Sequence, residues 1–160
     1  ELSSELIDRI DQYLPPFWSR SNPVDLVGER NPDLPLKVIS ELFKWDGCDA
    51  VITVAIMDRP SFLESTIKST VLTDPDADPG YLDLVRQTLN GSVANYIAQL
   101  ARLMEEYGKP VVDVSMSSDN TLLHGGASRY RGLFFQTPER AVRVIARMCE
   151  YKHWLNQNSI

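Results

Sequence analysis

Asp49-Ala50-Val51-Ile52-Thr53-Val54-Ala55-Ile56, DAVITVAI, is the stretch that decides the fold. It is rich in β-branched residues and apolar at both odd and even positions. A half-exposed strand would alternate, so this pattern predicts a central parallel strand covered by helices on both sides. Upstream, Asn31-Pro32-Asp33 predicts a helix start, with Asn31 as cap and Pro32 at the first position. Leu36, Ile39, Leu42 and Phe43 give that helix one apolar face, and Gly47 suits its carboxyl end. Downstream, Asp58-Arg59-Pro60-Ser61 opens a helix running to about Leu72.

The same alternation continues in both directions. Thr73 to Gly80 is an acidic surface loop; it lacks the glycine and terminal glutamate of a calcium-binding helix–loop–helix, so no metal is expected there. Tyr81 to Tyr107 predicts a long helix with Leu82, Val85, Leu89, Val93, Ile97, Leu100 and Met104 on its buried stripe, ended by Gly108-Lys109-Pro110. Val111 to Met116 predicts a strand. A polar stretch containing His124-Gly125-Gly126 leads to a short strand at Leu133-Phe134-Phe135. Thr137 and Pro138 open the last helix, which runs to about Trp154. Near the amino end, Ser3 to Leu14 reads as a helix stopped by Pro15-Pro16. Pro23 to Val27, within SRSNPVDLVGE (residues 19–29), is the first strand in chain order; it carries Asp25 at its centre and stops on Gly28.

Strands alternating with helices predict a three-layer α/β/α domain, residues 1–160, with a mostly parallel sheet of about four strands. The 160 residues suit one domain, and 43% hydrophobic content is enough for a packed core. A net charge of -6 argues against duplex nucleic acid as a partner, because phosphate backbones select basic patches. Cys48 and Cys149 form no metal-ligand spacing and predict two reduced thiols in a cytoplasmic protein. Neither a membrane span nor a leader peptide is expected. The start at Glu1 suggests a piece of a longer protein.

The order of motifs adds a resemblance. NPVDLVGE, an amphipathic helix, CDAVITVAI, EYGKPVVDVS, a short strand and TPERAVRVIARMCEYKHW, together spanning Asn22 to about Trp154, resemble the flavodoxin-like ligase domain of NDP-forming acyl-CoA synthetases, relatives of succinyl-CoA synthetase. The resemblance implies a flavodoxin-like fold and a segment of an acid–thiol ligase. That enzyme would convert acyl-CoA, phosphate and NDP into acid, CoA and NTP through a phosphohistidine. It implies CoA, nucleotide and magnesium only for the full-length enzyme, with ATP-grasp and CoA-binding domains or subunits as partners, and leaves a homodimer open. The isolated chain is expected to be inactive. Three departures stand out: the Gly-rich strand-and-helix unit that precedes this segment in the family is missing, nothing resembles the ATP-grasp or CoA-binding parts, and the region from Asp58 to Tyr107 is long. A non-catalytic regulatory module, such as the synthetase-like part of a protein acetyltransferase, is the alternative.

Candidate site residues follow from the carboxyl ends of the strands, where open α/β sheets bind ligands. Arg59 and Ser61, at a helix start, are candidates for phosphate contact, or else an ordinary cap with a surface arginine. Gly28 permits a tight turn or a close backbone approach. Asp25 either orients loops at that edge or accepts hydrogen bonds from neighbouring backbone N–H groups. His124, in LHGGA, superficially resembles a phosphohistidine motif, but it falls in the wrong place in the order of elements to be the nucleophile. Arg140, Arg143 and Arg147 read as a solvated face or a domain contact. Because the family's first strand is missing, Pro23–Val27 is expected either to pair directly with Ala50–Ile56 or to leave a place that a second chain fills.

Overall fold

The computed structural model describes the chain except residues 30, 57, 58, 75, 77, 116–121, 125–127 and 159–160; the side chains of residues 59–63, 89, 90 and 122–124 also lie outside the description. The elements in order are α1 (Ser4–Ile10), α2 (Leu34–Lys44), β1 (Val51–Val54), α3 (Arg59–Thr73), α4 (Pro79–Tyr107), β2 (Val111–Val114), β3 (Leu122–His124), β4 (Arg131–Phe135) and α5 (Pro138–Asn158). One four-stranded sheet runs in the order β1-β2-β4-β3. β1, β2 and β4 are parallel, and β3 is antiparallel to β4. The α/β class and the mostly parallel sheet match the expectation; the set of strands does not.

Pro23–Val27 is not a strand. The Val27 N–H donates to Asp25 Oδ1 at 2.8 Å, and the Glu29 N–H donates to the Leu26 carbonyl at 3.0 Å. Val27 and Gly28, the two central residues of that turn, both have positive φ, 48° and 72°. A four-residue turn with two such residues is the mirror-image type I′ turn, and the glycine is what makes its second half easy. The segment therefore turns its backbone groups inward on itself; among the described residues no neighbouring strand offers them a ladder. Nor does it pair with β1. The other new feature is β3, where sequence reading expected only a polar stretch; three residues on an edge are too few to leave an alternation pattern.

Helix ends also shifted for local reasons. The α2 helix starts at Leu34, not Pro32, with Pro35 in its first turn; Asn31 Oδ1 accepts from the Asp33 N–H at 3.0 Å and closes a turn just ahead of the helix. It stops at Lys44 because Trp45 is extended, two residues before Gly47. Lys109 holds that end: its Nζ donates to the carbonyls of Phe43 at 2.6 Å and Trp45 at 3.0 Å. A cation on the last carbonyls of a helix is stabilised by the helix dipole, and here it fixes the end of α2 to the start of β2.

Two apolar layers flank the sheet. On one face Val51, Val111 and Phe134 pack with Ile39 and Phe43 of α2 and Ile97 and Leu100 of α4. On the other, Val112 and Val114 meet Ala141 and Ile145 of α5. A third cluster joins α1, α2 and Trp18, with Val24 and Leu26 packed against it. The Trp18 indole N–H donates to Asp11 at 2.5 Å; that bond first, and Arg20 after it, hold the Asp11 carboxyl below its usual range. This cluster carries residues 22–29 and sets where they stand relative to β1.

Candidate functional site

An open cleft of about 940 Å³ lies beside β1. One wall is the free edge of β1 from Ala50 to Ile56, the opposite wall is the turn segment from Asn22 to Glu29, and Val38 and Leu42 of α2 with Trp45 just past its end close it from the side. Gly28, predicted to allow a tight turn, sits in that opposite wall in its left-handed conformation. Asp25 shares the wall, its carboxylate accepting the Val27 N–H; that matches the local hydrogen-bonding alternative of the sequence reading.

A buried polar cluster lies on the face of the sheet that carries α4, close to the carboxyl ends of its strands. Val51 and Thr53 of β1 stand in register with Val111 and Asp113 of β2. Thr53 and Asp113 therefore share a face, and the Thr53 hydroxyl donates to Asp113 Oδ1. Asp113 is only 3% exposed. Tyr96 of α4 joins the same region at 9% exposure, and its hydroxyl has no hydrogen-bond partner among the described residues. Burial, and secondarily the Asp113 carboxylate, push the Tyr96 hydroxyl far up, so it stays protonated and available as a donor. Ser115, just past β2, is buried too, and its N–H donates to the Phe135 carbonyl at 2.9 Å. The cluster offers a buried carboxylate, a phenol donor and the hydroxyls of Thr53 and Ser115; the Cys48 thiol is buried too and pushed up by desolvation.

The remaining candidates are scattered. Arg59 and Ser61 belong to the first turn of α3, which follows the carboxyl end of β1; their side chains lie outside the described residues. His124 ends β3 opposite Arg131, the first residue of β4. That is the amino end of the parallel strands, three strand spacings or about 14 Å from β1. The structure thus brings Gly28 and β1 to one cleft and puts the backbone of His124 at the far edge; the His124 side chain lies outside the described residues. Among the described residues, no three His, Cys, Asp or Glu side chains are grouped to hold a metal ion. Asp74 and Asp78 of the acidic loop accept from the backbone N–H groups of Asp76 and Gly80 instead. Arg147 pairs with Glu150 at 2.6 Å on exposed α5. No described helix is long and apolar enough to cross a membrane.

Sequence reasoning missed Asp113, Thr53 and Tyr96. A signal was present: VVDV places a carboxylate inside a four-residue apolar strand, and VITV places a hydroxyl inside another. Only the register shows that the two meet. Comparison of the chain with protein-family models, curated proteins and solved structures finds no match.

Proposed function

We propose that this chain is a flavodoxin-like domain of an NDP-forming acyl-CoA synthetase, contributing structure and phosphate contact and not the phosphorylated nucleophile. The cleft carries this reading. In the flavodoxin-like order 2-1-3-4-5, strands 3, 4 and 5 would be β1, β2 and β4, which are adjacent and parallel here. Strand 1 would then fall in the cleft, and strand 2 would fall on its far wall, where Pro23–Val27 lies. On this reading Pro23–Val27 forms no strand because the strand it would pair with is not among the described residues. The whole enzyme would interconvert acyl-CoA, phosphate and NDP with acid, CoA and NTP, and Arg59 and Ser61 at the start of α3 would meet the phosphoryl group with the helix N-terminus.

The place of His124 at the amino end of the sheet favours a second reading, a regulatory or interaction module in which no residue of this chain does chemistry. Incubating the natural full-length product, with its partner subunits, with acyl-CoA and labelled phosphate distinguishes the two. The ligase reading expects an acid-labile, base-stable phosphoprotein that passes its label to NDP, while residues 1–160 alone stay unlabelled and turn nothing over. A full-length protein that never takes up label overturns the ligase reading and leaves the module.

A further inference from the structure

We infer that the outer edge of β1 is an acceptor for an extended apolar polypeptide segment supplied from outside these residues, which would lie in the cleft as an added strand. This stands whether or not the chain belongs to a ligase.

The backbone dictates the chemistry of the occupant. The Val51 N–H donates to the Pro110 carbonyl at 3.0 Å, and the Ala55 N–H donates to the Val114 carbonyl at 2.8 Å. In a parallel ladder alternate residues bond to alternate sides, so Val51, Thr53 and Ala55 serve β2. The N–H and C=O groups of Ile52 and Val54 point the other way, into the cleft, and take no backbone partner among the described residues. Two donors and two acceptors in strand spacing, beside an apolar wall, match an extended peptide and match a small ligand poorly.

Size and surface agree. The cleft, about 940 Å³, runs along β1 from Ala50 to Ile56, the length of a short strand. Its walls carry Val24, Leu26, Val38, Leu42 and Trp45. Val54, on the face covered by α5, is left 61% exposed. An occupant apolar on both faces satisfies both surroundings. The β1 edge of a second copy does not fit the role, because it lies behind its own Asn22–Glu29 wall.

The test is a display library of random capped segments of about eight residues, selected on the immobilised 160-residue chain. Enriched segments should be β-branched and uncharged over their central residues. A synthetic copy of the strongest should slow amide exchange at Ile52 and Val54 by tenfold or more. Val54→Pro removes one cleft-facing donor and leaves the β2 ladder intact; it should weaken the peptide about fivefold to tenfold. If that variant folds poorly, methylating alternate backbone nitrogens of the peptide makes the same cut from the other side and should weaken binding on only one of the two alternations. No enrichment, enrichment of charged or Pro-rich segments, or a peptide that dimerises the chain without protecting Ile52 and Val54 overturns the inference.

Discussion

Two aspartates stand in nearly the same local sequence, Asp25 in Pro-Val-Asp-Leu-Val and Asp113 in Val-Val-Asp-Val, and they have opposite structures. Asp113 lies in a strand bonded on both sides, with its side chain buried against Thr53 of the next strand. Asp25 lies in a turn, and its side chain accepts the backbone N–H two residues on. The difference is the neighbour. An apolar run becomes a strand when another strand takes its N–H and C=O groups, and a carboxylate inside it is tolerated when that strand also brings a donor. Without a neighbour, the same run closes on itself, and aspartate is among the residues best suited to do so.

Substitution sharpens the contrast most at Asp113. Asp113→Ala leaves the buried Thr53 hydroxyl without its acceptor and opens a small void, so the chain should lose about 3 kcal/mol in urea denaturation. Replacing both members together, Thr53→Val with Asp113→Val, should recover most of that, because an apolar pair of similar shape leaves neither position with an unsatisfied polar group. A double variant as unstable as the single one would mean that Asp113 is held by more than Thr53. At Asp25 the effect is far smaller. Asp25→Ala removes one exposed side-chain-to-backbone bond and should cost about 0.5–1 kcal/mol. If Asp25→Val instead stabilised the chain, Pro23–Val27 would be behaving as a strand in solution.

The same contrast says what the sequence could yield. The long amphipathic helix from Pro79 to Tyr107, the strands around Val51 and Val111 and the final helix were legible because their apolar periods run long enough to register. Pro23–Val27 misled because strand propensity is only a fit to a pleated, half-covered surface, and here that surface is missing its second half. The edge strand β3 was too short to show, and α2 began two residues late because Asn31 capped a turn ahead of it. Of the site, Gly28 was legible from its type alone. The Thr53–Asp113 pair was not, because sixty residues separate its members and only the β1–β2 register joins them.

The central claim, that β1 is bonded on one edge and open on the other, has a direct measurement in amide hydrogen exchange, residue by residue, along β1 of the 160-residue chain. Val51, Thr53 and Ala55 should exchange slowly, and Ile52 and Val54 between them should exchange at rates near those of exposed loops. That alternation is the signature of an edge strand whose outer groups face a cleft. Uniform protection from Val51 to Ala55 would mean that the outer edge is already paired, and the open acceptor would not exist.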